Sequence, residues 1–205
     1  MLLDAMPERY RVAGVLAAGA GLRQGEALGV TVDRIDFLRR RLVIDRQMVT
    51  PPTGTPGLAP PKSDASYRKV PLADPVLEAL ADHLRRFPPG DDGLVLTYGD
   101  GRPVRRNRFG YMWRQSCARA GLDFRYHDLR HHFASLLIAG GESVVAIQRV
   151  LGHASAKVTL DTYGHLFPDA EDHTRAVLNA ALSGWCVQDV SKGTHQGGES
   201  AGQPT

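Results

Sequence analysis

Cysteine is scarce in this 205-residue chain, and no apolar run is long. The two cysteines, Cys117 and Cys186, lie far apart and match neither a metal-site spacing nor a disulfide framework. The longest apolar stretch, Val12–Leu22, is too short to cross a bilayer, and the acidic Asp4 and Glu8 precede it, which is unlike a signal peptide. The composition therefore argues against a secreted disulfide scaffold and a membrane-spanning segment, and it predicts a cytoplasmic protein.

Positive charge is concentrated in one segment. The whole chain carries a net charge of +3, whereas residues 101–130 contain eight arginines, no lysine and two aspartates, which is a net +6. Such a concentration suits a phosphate backbone. A solvated, arginine-rich helix face is an equally good interpretation of this segment when it is considered alone.

The hydrophobic pattern predicts an α+β domain that is mainly helical, with one small antiparallel sheet of three strands near its start. The sheet is expected to consist of Val30–Phe37, Arg41–Val49 and Tyr67–Leu72, with a proline- and glycine-rich loop over Thr50–Pro61 and a short extended piece at Leu94–Thr97.

Helices are predicted before and after these strands along the chain. Asp74 is a suitable N-cap for one of them, because Pro75 follows it and Val76, Leu80 and Leu84 form an apolar face. The remaining predicted helices are one that begins at Pro7 and continues through Tyr10–Ala18, a basic one over Pro103–Ala120, several within Tyr126–Phe167, and an amphipathic one over Asp169–Leu182.

The segment Tyr126–Phe167 brings together residues that suit anion binding. His127 and Arg130 are three positions apart, so they share one face of a helix, while Leu129, Phe133 and Leu136/Leu137 are predicted to bury the neighbouring face. Further along, Gly152 is expected to end a helix in the left-handed conformation, directly before His153. A lone tyrosine, Tyr163, then precedes a glycine.

This sequence pattern resembles that of the tyrosine recombinase family, which includes the phage integrases. The resemblance rests on H-x-x-R at His127/Arg130, on Leu151-Gly152-His153, and on Tyr163. Two further boxes are similar to the family's: Ala20–Leu28, where alanine replaces the usual threonine ahead of Arg23, and Pro61–Leu72, which carries Lys62. All five elements occur in the family's order, and the resemblance covers roughly residues 10–182.

The resemblance implies a catalytic set of six residues, which are Arg23, Lys62, His127, Arg130, His153 and Tyr163. The arginines would make bidentate hydrogen bonds to phosphate oxygens, and the tyrosine would attack phosphorus to give a phosphotyrosine. His127 is expected to accept the tyrosine's proton, and His153 to donate to the phosphate. Lys62 resembles the family's general acid, which protonates the 5′ oxygen. Lys69 is the alternative candidate for that role.

Other residues close to this predicted catalytic set can also be interpreted. Glu26 lies three positions after Arg23 and is expected to orient its guanidinium, whereas His131 and His132 are interpreted as helix-surface or DNA-proximal residues. No zinc-type spacing occurs among the histidines, so no metal is predicted, and no cofactor is expected.

The whole-protein expectations follow from the resemblance. The partner is expected to be double-stranded DNA, contacted through Arg105, Arg106 and Arg108, with self-association into a tetramer on DNA when the protein is full length. Residues 1–184 are predicted to form the catalytic domain and 185–205 a disordered tail, and the family's N-terminal core-binding domain is expected to be absent. The alternatives are a recombination-deficient DNA-binding remnant and a type IB-like topoisomerase.

Overall fold

The structure is a computed structural model that describes residues 2–52, 54–90, 92–167 and 170–183. It divides into two compact units, Met1–Leu166 and Phe167–Thr205. The described helices of the first unit are α1 Leu2–Ala5, α2 Glu8–Ala20, α3 Gln24–Leu28, α4 Asp74–Arg86, α5 Arg106–Arg119, α6 Tyr126–Ala139, α7 Val144–Leu151 and α8 Ala156–Tyr163. In the second unit, α9 spans Ala170–Leu182.

The helices begin and end close to where the sequence predicts. The helix predicted through Tyr10–Ala18 continues two residues further, to Ala20, and ends at Gly21, whose left-handed φ of 64° lets its N–H donate to the Ala17 carbonyl. Asp74 is the first residue of α4 rather than its N-cap, a difference of one position, and Val76 and Leu80 are buried as predicted. The basic helix α5 starts three residues later than expected, since Pro103 pairs with Thr97 in an isolated β-bridge.

The predicted three-stranded antiparallel sheet is confirmed, with shorter strands. Its order is β1 (Ile35–Asp36), β2 (Arg41–Ile44) and a third strand, Arg68–Pro71, in which Val70 faces Leu42. The predicted first strand is largely wrong, because a 3-10 turn occupies Val32–Arg34.

The predicted loop over residues 50–61 and the continuous strand before it are each wrong in part. The strand breaks after Ile44 and resumes as β3 (Gln47–Val49), which pairs with β4 (Gly57–Ala59) in a separate two-stranded sheet. The third strand of the first sheet is therefore β5 (Arg68–Pro71). Gly57–Ala59 contains no proline, so its backbone N–H groups can pair although prolines surround it.

An aromatic cluster holds the helices around α2. Phe109 and Trp113 of α5 pack edge-on against Tyr126 of α6, with ring centroids 5.4 and 5.1 Å from it. The Tyr126 hydroxyl donates to the Ala13 carbonyl of α2 over 2.6 Å. This buried bond satisfies the phenol and fixes the start of α6 against the centre of α2.

The buried face of α6 differs from the predicted one. Leu136 is 54% exposed, whereas Arg130 is 1% exposed and lies in the buried stripe with Tyr126, Phe133 and Ile138. Because Arg130 follows Tyr126 by one helical turn, its side chain enters the core, whereas His127 is exposed.

Two predictions concern residues outside those described. The disordered tail over 185–205 and the second cysteine, Cys186, both lie beyond residue 183. Cys117 is buried and is a free thiol.

Candidate active site

Arg130 is a buried cation held between two helix ends. One amino group of its guanidinium donates to the Gly21 carbonyl over 2.6 Å, and the other donates to the carbonyl of Leu151. These oxygens belong to the C-terminal ends of α2 and α7, where helix dipoles are negative. Burial, followed by the charge of Arg23, lowers the pKa of Arg130 to about 9, so the side chain remains cationic at neutral pH.

Arg23 stands beside Arg130 and is oriented by Glu26, as the sequence predicts. The Glu26 carboxylate accepts bonds from the Arg23 backbone N–H at 2.9 Å and from its guanidinium at 2.8 Å. The same guanidinium donates to the Gly152 carbonyl at 3.2 Å. Its side chain is 37% exposed, so Arg23 keeps a face toward solvent while these bonds fix its direction.

A third arginine, Arg68, completes this network and was not predicted. Its guanidinium makes two bonds to Glu26, at 2.8 and 3.0 Å, and donates to the Val150 carbonyl at 2.7 Å. Burial would raise the pKa of Glu26, but the hydrogen bonds and charge of Arg68, with Arg23, lower it to about 2. Glu26 is therefore ionised at neutral pH. Through Arg23 and Arg68, it links α3 and β5 to the end of α7.

Tyr163 closes the site from the end of α8. It is 3% exposed, and its ring lies parallel to that of His153, with centroids 6.3 Å apart. Burial raises the pKa of the phenol, and the opposing charges of Arg130 and Arg23 moderate that effect. The Tyr163 hydroxyl lies 2.8 Å from Nδ1 of His131.

His131 is thus the neighbour of the Tyr163 hydroxyl, a contact that its interpretation as a helix-surface or DNA-proximal residue did not include. His127, the proton acceptor proposed from sequence, lies one turn earlier on α6, where its ring and that of His131 are perpendicular, with centroids 4.8 Å apart. Burial, then the neighbouring His131, lowers the pKa of His127, which favours a neutral imidazole. His132 is exposed, which agrees with its predicted surface position.

His153 is held as a neutral ring. It follows Gly152, whose φ of 68° confirms the predicted left-handed end of α7. Its Nδ1 lies 2.9 Å from the hydroxyl of the buried Thr159. Burial, and then the charges of Arg130 and Arg23, lower the pKa of His153 to about 4. When Thr159 donates to Nδ1, the single ring proton resides on Nε2 and is available to an acceptor.

Lys62 shares a cleft with the arginine network. Arg23, Glu26, Lys62 and Ser66 line this small cleft of about 220 Å³. Lys62 is exposed, and it precedes the short 3-10 turn Asp64–Ser66 that leads into β5. The competing Lys69 lies within β5 opposite Val43, on the strand rather than at this cleft.

Arginines of residues 101–130 line different clefts. Arg106, Arg114 and Arg125 line a cleft of about 460 Å³ together with Arg23 and His127. A larger cleft of about 630 Å³ lies elsewhere, and it is lined by Arg102, Arg105 and Arg108 among others. The cleft that holds site residues is the better candidate for a phosphate backbone, although it is the smaller of the two.

Of the three arginines predicted to bind DNA, Arg106 alone lines the cleft with Arg23 and His127. Arg105 donates to the Gly54 carbonyl over 2.7 Å, and the guanidinium of Arg108 sits 5.9 Å from the ring of Tyr111.

Neither a metal cluster nor a membrane span is found in the part of the chain that the structure describes. Across those residues, no group of three or more histidine, cysteine, aspartate or glutamate side chains is arranged to hold a metal ion. None of the described helices is long and apolar enough to cross a membrane.

Comparison with known proteins gives one consistent result. A family model described as the phage integrase family matches residues 1–169. A XerC-like tyrosine recombinase of Caldanaerobacter subterraneus is 26% identical over 83% of this chain and 49% of its own length. The ICEBs1 integrase of Bacillus subtilis is 31% identical over 79% of this chain and 46% of its own.

Solved structures agree in fold. The Tn1549 transposon integrase in complex with circular intermediate DNA superposes with a TM-score of 0.73, at 23% identity, over 85% of this chain and 60% of that one. The catalytic domain of bacteriophage HP1 integrase superposes with a TM-score of 0.53, at 17% identity, over 95% of this chain and 93% of that one.

The fold and the family model together define a tyrosine recombinase-type catalytic domain. The chain belongs to the phage integrase family. It spans about half the length of the curated relatives it matches.

Proposed function

We propose that this chain is the catalytic domain of a site-specific DNA recombinase or integrase that breaks and rejoins strands through a phosphotyrosine at Tyr163. The observation that carries the proposal is the convergence of Arg23, Arg130, His153 and Tyr163, which come from four separate segments, on one site. The other family positions, Lys62 and His127, line clefts that both include Arg23.

The proposed reaction is a pair of transesterifications. The Tyr163 oxygen loses its proton and forms a bond to phosphorus, while the bond from phosphorus to the 5′ oxygen breaks. Arg23, Arg130 and His153 stabilise the charge on the non-bridging oxygens, and Lys62 gives a proton to the departing 5′ oxygen. A 5′ hydroxyl from a second strand then attacks the phosphotyrosine and frees Tyr163. Because the ester energy is retained, neither a nucleotide nor a metal is required.

The proposed partner is double-stranded DNA, bound along the cleft lined by Arg106, Arg114 and Arg125. In the longer proteins of this family we expect strand exchange to take place in a tetramer assembled on DNA. We also expect the protein to work in the cytoplasm, where its substrate lies.

The test is covalent capture on nicked duplex DNA, in which the cleaved fragment diffuses away and the phosphotyrosine accumulates. The wild-type chain is expected to form a shifted band on a denaturing gel in the presence of EDTA. Tyr163→Phe removes only the hydroxyl and is expected to abolish the band, whereas Tyr111→Phe, at an exposed tyrosine, is the matched control.

Three outcomes would redirect the proposal. A persistent band with Tyr163→Phe would place the nucleophile at another tyrosine. Absence of any band with wild-type chain would favour a DNA-binding remnant. Relaxation of supercoiled plasmids irrespective of their sequence would favour a topoisomerase.

A further inference from the structure

The hydroxyl of Tyr163 cannot release its proton directly to bulk water. Tyr163 is 3% exposed, and its ring packs against the rings of His131 and His153. A buried phenol that attacks phosphorus therefore needs a protein group to accept its proton. Such a group must lie within hydrogen-bond distance of the oxygen, about 2.6–3.2 Å.

We propose that His131 is a catalytic residue that accepts the proton of Tyr163 when the tyrosine attacks and returns it when the strand is rejoined. Its Nδ1 lies 2.8 Å from the Tyr163 oxygen, within the range for direct proton transfer. This inference rests on the proposed function, and it replaces His127 as the acceptor that the H-x-x-R pattern indicates.

The other two imidazoles of the site are worse placed for this step. His153 stacks on Tyr163 with only 8° between the ring planes, and its Nδ1 pairs with Thr159, so the nitrogen is not directed at the phenol. His127 meets His131 instead, edge to face at 4.8 Å between ring centroids.

The proton balance closes within the Tyr163–His131 pair. Tyr163 is buried and His131 is half-buried, and their rings meet edge to face with centroids 5.5 Å apart. In the forward step the phenol O–H bond breaks, and His131 becomes an imidazolium as the new bond to phosphorus forms. In the reverse step the departing tyrosine oxygen takes the proton back, so the cycle balances.

The experiment measures single-turnover cleavage of nicked DNA at saturating protein for wild type, His131→Phe and His132→Phe. His131→Phe keeps an aromatic ring but has no nitrogen, and cleavage is expected to slow by about 10²-fold, as general-base catalysis contributes at least that much. His132→Phe changes the exposed neighbour on the same helix turn and is expected to cleave at the wild-type rate.

A second arm separates proton transfer from a structural role. Replacing Tyr163 with 3,5-difluorotyrosine, which ionises more readily, is expected to restore much of the rate in the His131→Phe background. In the wild-type background it should change the rate little. A packing defect would not be rescued by a more acidic phenol, so an unchanged deficit would overturn the inference.

Two further results have clear readings. Cleavage at the wild-type rate by His131→Phe would also overturn the assignment, whereas loss of its thermal unfolding transition would shift the test to His131→Asn, whose side-chain amide can still bond the phenol. Failure of the wild-type chain itself to form the covalent adduct would instead refute the proposed function. The two failures are therefore distinguishable.

Discussion

Arg130 combines two demands at one residue, because its charge serves the phosphate site while its amino groups hold the fold. The guanidinium donates to carbonyls at the ends of α2 and α7, and those oxygens have the helix dipoles behind them. A planar group with several fixed donors can bond both carbonyls and still present an edge to an anion. Lysine carries the same charge as a single point and cannot do so.

We therefore predict that Arg130→Lys loses both stability and activity. One buried carbonyl would be left without its donor, which typically costs about 1–3 kcal/mol in the free energy of unfolding. Loss of one preorganised donor should also slow cleavage by roughly 10²- to 10³-fold. Urea unfolding and single-turnover cleavage measure the two effects, with Arg85→Lys, at an exposed arginine of α4, as control. A lysine variant as stable and as fast as wild type would contradict this account.

The end of α7 is the element on which the site is assembled. The Val150 and Gly152 carbonyls accept bonds from Arg68 and Arg23, and the carbonyl of Leu151 accepts one from Arg130. Gly152 is left-handed, and a methyl group added there would lie 2.9 Å from the Ala65 carbonyl and 3.1 Å from Arg68. The glycine thus permits both the turn and the close approach of the buried arginine.

We predict that Gly152→Ala is much more destabilising than Gly141→Ala. Both glycines have a left-handed φ, 68° and 79°, which costs an alanine about 1 kcal/mol at either position. A methyl group at Gly141 would meet no atom within 4 Å, so this variant isolates the backbone cost. Gly152→Ala must in addition displace Arg68 or Ala65 and should disturb Arg23. Equal unfolding free energies for the two variants would contradict this reading.

Elements set by local signals were predictable, and those set by distant pairing were not. Pro75 and Gly152 mark helix ends through their own backbone preferences, and both ends lie within one residue of their predicted positions. The helix predicted through Ala18 ends two residues later, at Ala20. The strand Gly57–Ala59 depends on its partner Gln47–Val49, so its proline-rich surroundings indicated a loop.

The same distinction applies to the site. Glu26 was predicted because it is three residues from Arg23, whereas Arg68 reaches Glu26 from 42 positions away. His131 was missed because its contact with Tyr163 depends on where α8 lies against α6, which no local spacing encodes.

At the scale of the molecule, the arginine-rich segment is not a uniform basic surface. Arg130 is buried and Arg119 donates to the Ala5 carbonyl, so neither is a free surface charge. Arg106, Arg114 and Arg125 remain along the cleft that includes Arg23. A second cleft, lined by Arg102, Arg105 and Arg108, carries further positive charge. Contacts from such arginines to phosphates position DNA but do not read its sequence.

We therefore predict that this chain alone binds duplex DNA weakly, with a steep dependence on salt and little dependence on sequence. Alanine at Arg106, Arg114 or Arg125 should each reduce the slope of log affinity against log salt by about one. Arg85→Ala, at an exposed arginine on α4, is the control and should leave the slope unchanged. Fluorescence anisotropy on two unrelated duplexes provides the measurement, and tight binding to only one of them would contradict the prediction.

The position of Arg130 in the core also bears on how such a chain decays once its activity is no longer selected. Substitutions of the exposed Lys62 or of the Tyr163 hydroxyl leave the bonds at the ends of α2 and α7 in place. A substitution of Arg130 removes those bonds, so the protein loses stability as well as activity and is degraded more readily. Inactive copies that persist as folded proteins are therefore expected to retain this arginine after the nucleophile and the lysine have been lost.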